Sequence, residues 1–183
     1  MSTIPASSNE RLSVENLHRT FLGALNSAVV SHSDVAAKPL EVDLKSPLPP
    51  KLRVYIYNAT YPPGGRTMGE HKIQLIVPGQ ERGARGNFDS TGGRIPLLMG
   101  YRPDLRIFML WDAELYVNFS YSRNVQVMPE TVYEAFARGI GRQKRNLWTE
   151  QVELVITTDA RHLAEAILER QQETLKRLLG DNE

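Results

Sequence analysis

Apolar side chains recur at four-residue spacing near the start of the chain, at two-residue spacing through its middle, and at helical spacing again towards its end. Leu17, Phe21, Leu25 and Val29 form one stripe behind Ser13-Val-Glu-Asn, a weak cap, which predicts a helix of about 18 residues. The polar stretch before it, residues 1–12, reads as a flexible terminus. Prolines 39, 47, 49 and 50 make residues 36–50 a connector with one short strand at 41–44.

The middle reads as strands. In residues 52–60, Val54 and Ile56 alternate with Tyr55 and Tyr57; in 71–79, Ile73, Leu75 and Val77 alternate with Lys72 and Gln74. Residues 61–66 form a turn, and Gly-rich residues 80–93 form a long loop. Further strands are expected at 94–101, at 105–117 (long enough for two) and at 124–127. Pro129 opens a second helix that Gly139 or Gly141 ends. Residues 151–158 alternate as the last strand, and Asp159 caps a final helix with Leu163, Ile167, Leu175 and Leu178 or Leu179 on one side. The order predicts an α+β domain over 13–180: a curved, mainly antiparallel sheet or partial β-barrel flanked by N- and C-terminal helices.

Composition narrows the class. The 183 residues include no cysteine, which removes disulfides and thiolate metal sites. No apolar run reaches the length of a membrane span, and the first residues lack the pattern of a secretory signal, so a cytoplasmic domain is expected. The net charge of +1 hides a sorted distribution. Residues 51–148 carry 14 basic and 8 acidic side chains, and 11 of those cations are arginine. Residues 1–50 carry 4 and 5, and residues 149–183 carry 4 and 8. Guanidinium makes forked contacts with phosphate and with the guanine edge, so the centre of the chain is a candidate polyanion face. The alternative is that these arginines pair with local carboxylates.

Catalytic templates fit poorly. Glu70-His71-Lys72 opens a strand as an acid-x-lysine element that, with an upstream aspartate, would hold a divalent metal for phosphodiester cleavage. Nothing acidic lies between residues 46 and 69, however. Asp104, Asp112 and Glu114 supply acids without a lysine. No phosphate-cradling glycine motif is present, and His18, His32, His71 and His162 lack metal-ligand spacing, so no cofactor or metal is expected.

Recognition chemistry fits better. Arg82, Arg85 and Arg94 lie in or beside the Gly-rich loop, where missing Cβ atoms allow close approach to a phosphate backbone. Arg142, Lys144 and Arg145, interleaved with Asn146 and Trp148, form a second basic cluster. Between them, Trp111, Tyr116, Phe119 and Tyr121 offer stacking faces, Asp112 offers acceptors, and Ser122, Asn124 and Gln126 offer edge hydrogen bonds. The competing reading has the aromatics filling a sheet core.

The runs HKIQLIVPGQERGARGNFDS, RIPLLMGYRPDLRIFMLWDAELY and FSYSRNVQV resemble the N-terminal DNA-recognition domains of bacterial restriction endonucleases, including modification-dependent ones. The resemblance covers roughly residues 50–160 and implies a non-catalytic module of a restriction or phage-defence protein. Such a module reads double-stranded DNA while a nuclease domain, in the same chain after Glu183 or in a partner, cuts. It also implies that a methylated cytosine is flipped into a pocket, for which Trp111 and Asp112 are the candidates by their chemistry. A metal-dependent nuclease using Glu70 and Lys72, and a protein-interaction domain, are the rival expectations.

Overall fold

A computed structural model describes residues 10–60 and 70–180. Helix α1 (Val14–Leu25) begins where the Ser13 hydroxyl accepts the Asn16 N–H, and buries Leu17, His18, Phe21 and Leu25. It is shorter than its apolar stripe predicts. Asn26 takes a positive φ of 42°, a turn follows, and Val29 opens a strand instead of a further helical turn.

The strands are β1 (Val29–His32), β2 (Leu40–Leu44), β3 (Lys51–Asn58), β4 (His71–Leu75), β5 (Arg85–Gly86), β6 (Ile95–Arg102), β7 (Ile107–Trp111), β8 (Phe119–Ser120) and β9 (Arg123–Val127). Helix α2 (Pro129–Arg138), strands β10 (Ile140–Asn146) and β11 (Val152–Thr158), and helix α3 (Leu163–Leu179) complete the chain. Seven strands form one open mixed sheet in the order β1-β2-β3-β6-β7-β11-β10. All neighbours are antiparallel except β3 and β6. A parallel pair needs a crossover; here the chain uses it to lay β4 and β5 over one face of the sheet. β4 pairs with β9 as a separate two-stranded ribbon, and β5 pairs with β8. The sheet does not close into a barrel.

Period-two alternation divides the core into two layers. Leu52, Val54 and Ile56 of β3, with Leu97 and Met99 of β6, face α1 and α3. Leu98, Met109, Trp111 and Val155 face the ribbon and α2. β7 is buried on both faces, so its five residues are all apolar. After it the chain enters a turn, where Asp112 caps Ala113–Leu115, rather than a second strand.

Two further elements depart from the sequence pattern. The basic cluster at 142–146 belongs to edge strand β10, which pairs with β11 over its whole length. In α3 the buried positions are Leu163, Ala166, Ile167 and Arg170, while Leu175, Leu178 and Leu179 are exposed. Of the polar terminus, residues 1–9 lie outside the described residues; Leu12 exchanges both backbone hydrogen bonds with the Asn58 amide, at 2.8 Å each.

Candidate nucleic-acid interface

Trp111 and Asp112 lie in the core and do not line an open pocket. Trp111 is wholly buried, and its indole N–H donates to the Gln126 carbonyl at 3.1 Å. Its ring rests against Gly100, where a Cβ would fall 3.1 Å from it and 2.8 Å from Ile73. Asp112 is 2% exposed. One of its oxygens accepts the Glu114 N–H at 3.1 Å; the other accepts from Arg177 Nε at 3.1 Å and faces Arg170 Nη2 at 3.5 Å.

Glu153, 1% exposed, sits beside it. It accepts the Asp112 N–H at 3.1 Å and the Tyr116 hydroxyl at 2.7 Å, with Arg145 Nε 3.6 Å away. Burial pushes the Glu153 carboxyl above the usual carboxylate range, against the pull of these hydrogen bonds and of Arg145. Burial likewise raises the Tyr116 phenol, reinforced by the Glu153 charge, and lowers Arg170. Asp112, Trp111 and Tyr116 are thus committed to internal partners: Asp112 to two arginines of α3, Trp111 to the Gln126 carbonyl and Tyr116 to Glu153.

Several arginines of the basic centre are committed too. Arg94 pairs with Asp43 at 3.0 Å and Glu41 at 3.4 Å, and donates to the Val42 and Leu52 carbonyls. Arg142 grips Glu169 through two bonds of 2.5 and 2.6 Å, which raises its guanidinium further above its ordinary value. Arg145 bonds the Gln126 carbonyl as well as facing Glu153. Arg82, Arg85 and Lys144 are exposed and form no ion pair among the described residues.

A different grouping emerges at one end of the molecule. The β5–β8 pairing brings Arg85 opposite Ser120, 35 residues on in the chain. Gln80 stitches the loop: its amide donates to Ala84 and Phe119 carbonyls and accepts the Val77 N–H. Gly86 is required there, since a Cβ would lie 2.8 Å from the Phe119 ring. Asn118 N–H donates to Asn87 Oδ1 at 2.7 Å, and Ser122 N–H donates to the Leu75 carbonyl at 3.0 Å. Tyr121 and Ser122 are half-buried here, with Arg123 stacked 5.1 Å over the Tyr116 ring and Phe119 in the core.

The ribbon continues this surface. His71, Ile73 and Leu75 of β4 and Val125 and Val127 of β9 point into the core. The alternate residues pair on the outer face: Lys72 opposite Gln126, and Gln74 opposite Asn124. None of these four side chains makes a hydrogen bond among the described residues; Gln126 bonds only through its backbone carbonyl. Beside β4 a cleft of about 480 Å³ is lined by Arg11, Lys38, Tyr57, Asn58, Gln74 and Gln80. On the β9 side, Gln143 accepts the Met128 N–H and Arg145 reaches Gln126, so β10 runs alongside β9 towards a hairpin tip carrying wholly exposed Trp148. Lys72 and Gln74 were not legible as partners of Asn124 and Gln126; alternation fixes each strand's outer face, but only the register joins them.

Among the described residues no three His, Asp or Glu side chains come together to hold a metal. Lys72 belongs to the ribbon face, and Arg102 contacts buried His71 while pairing with Asp104. No helix of the described residues is long and apolar enough to cross a membrane.

The family model described as methylase-associated X1 matches residues 50–167. The chain belongs to that family. The methylase-associated X1 region holds the ribbon, the β5–β8 pairing and the β10–β11 hairpin, and leaves out α1, β1, β2 and the α3 arginines that bind Asp112. No curated protein and no solved structure matches the chain.

Proposed function

We propose that this methylase-associated X1 protein is a double-stranded DNA-binding specificity module of a restriction or defence system, and that cleavage or modification belongs to another domain. The observation carrying this reading is the β5–β8 pairing, which sets Arg85 opposite Ser120 with Arg82 three residues before it, neither arginine paired with a carboxylate among the described residues, next to Tyr121, Ser122 and the polar ribbon that carries Asn124. Free guanidinium groups on a glycine-containing loop hold phosphates, and hydroxyl and amide groups next to them meet the groove. The family description supports a setting in which DNA carries methyl groups. Base methylation is then sensed from the groove and without flipping into the core, because Trp111 and Asp112 are buried with partners of their own.

Mobility-shift titrations on plain and methylated duplexes test this. Binding at low salt should weaken steeply as salt rises, since released counterions drive phosphate contacts. Arg82→Ala combined with Arg85→Ala should weaken all sequences alike. Absence of binding to any duplex at low salt would sink the assignment.

A further inference from the structure

We infer that the outer face of the β4–β9 ribbon is the base-reading element, that it reads adenine edges in the major groove, and that N6-methylation of those adenines blocks it. This inference rests on the DNA-binding reading above and assigns its specificity to four residues.

A two-stranded ribbon fits the major groove, which is about 12 Å wide. Same-face residues along one strand are about 6.8 Å apart, twice the rise of a strand residue. Base pairs stack about 3.4 Å apart along the duplex axis. Gln74/Asn124 and Lys72/Gln126 therefore address positions two base pairs apart, one cross-strand pair at each.

The chemistry of the face selects the base. Three of its four side chains are carboxamides, each with a donor and an acceptor on one planar end. Adenine offers the complement, an N7 acceptor beside an N6 donor, whereas guanine offers two acceptors there. Lys72, an ammonium, suits guanine or a phosphate at the edge of the site. The amides are uncommitted, so reading a base breaks no existing bond. The platform beneath them is rigid: Ile73, Leu75, Val125 and Val127 are each 1% exposed or less. Arg11 and Lys38 in the cleft beside Gln74, and Arg82 and Arg85 beyond the ribbon end, lie where flanking phosphates would pass. A methyl group on N6 occupies the space the amide oxygen must enter, and so removes the paired contact.

Selection from a pool of random duplexes, followed by titration of the winners, decides the matter. Enriched sites should contain adenines two base pairs apart. N6-methyladenine at those positions should lower affinity about tenfold or more, while 5-methylcytosine elsewhere in the site leaves it unchanged. Gln74→Ala with Asn124→Ala should keep low-salt binding but lose the adenine preference and the methyl effect. Both positions are exposed, and an unaltered Tm confirms that the variant folds. Wild-type preference in that variant, or indifference of the wild type to N6-methylation, overturns the inference while leaving DNA binding intact. Loss of all DNA binding by the wild type overturns both readings.

Discussion

The buried end of β7 and the outer face of the ribbon both carry polar side chains and use them in opposite ways. At β7, Asp112 and Glu153 are enclosed with Arg170, Arg177, Arg145 and Tyr116, and the carboxylate oxygens face donors from three elements. On the ribbon, Gln74 and Asn124 stand in solvent, and neither side chain makes a hydrogen bond among the described residues. Buried ionic groups are tolerated only when satisfied, so their partners are internal. Groups left unsatisfied are tolerated only where water reaches them, which is also where a ligand reaches them. A polar side chain's chemistry thus says less about its role than whether its partners lie inside the molecule.

The comparison breaks first, and most severely, at Asp112. Asp112→Ala leaves Arg170 and Arg177 without the carboxylate they share and removes the cap on the Glu114 N–H. Removing one member of a buried pair costs about 3–5 kcal/mol, so urea melts should show a loss of that order. A loss below about 0.5 kcal/mol, inside the range of surface substitutions, would mean that the network is not holding α3 to the sheet.

That outcome also bears on what the sequence discloses. The alternations of β3, β4, β9 and β11, the Ser13 cap and Pro129 at the head of α2 are local signals, and each marks its element. β10 carries none, because IGRQKRN puts polar residues on both faces: Arg142 reaches Glu169 on one side, and Gln143 reaches Met128 on the other. IFMLW reads equally as a doubly buried strand and as a display of stacking surface, and only the layer above it, built from β4 before it in the chain and from β9 and α2 after it, decides. In α3 the inward stripe continues beyond Ile167 as Arg170 and Arg177, so apolar periodicity follows Leu175 and Leu178 to the wrong face. The candidate interface was half legible: Arg82, Arg85, Tyr121, Ser122, Asn124 and Gln126 carry suitable chemistry, but their gathering depends on the long-range β5–β8 and β4–β9 pairings.

A smaller effect sharpens the same contrast through pH. Burial raises the Glu153 carboxyl above its unfolded value, so the folded state binds more protons than the unfolded state in the window between them. Stability associated with this group is then fully present below the unfolded value near 4.5 and declines as pH rises through the folded one. Glu153→Gln removes the ionisation while retaining an acceptor for the Tyr116 hydroxyl. Chemical melts across the acid range should show the variant gaining on the wild type as pH rises; a constant difference would mean that Glu153 ionises as freely folded as unfolded.

The smallest expected effect on stability is the most informative about function. Gln74, Asn124, Arg82 and Arg85 are exposed, and no ion pair among the described residues involves them. Their alanine variants should each shift stability by no more than about 0.5 kcal/mol. The core network offers no such freedom, so a residue whose removal leaves the melt unchanged but alters DNA affinity cannot be acting through the fold. Arg85 is the stringent case, because its one bond, a long 3.5 Å contact to the Asn118 carbonyl, ties it to the β5–β8 pairing. If Arg85→Ala lowers the melt as much as it lowers affinity, the arginine holds the loop together and phosphate contact falls to Arg82 alone. If the melt is unchanged and affinity drops for every sequence, the loop is a scaffold already complete without its cation, and the charge is there for the ligand.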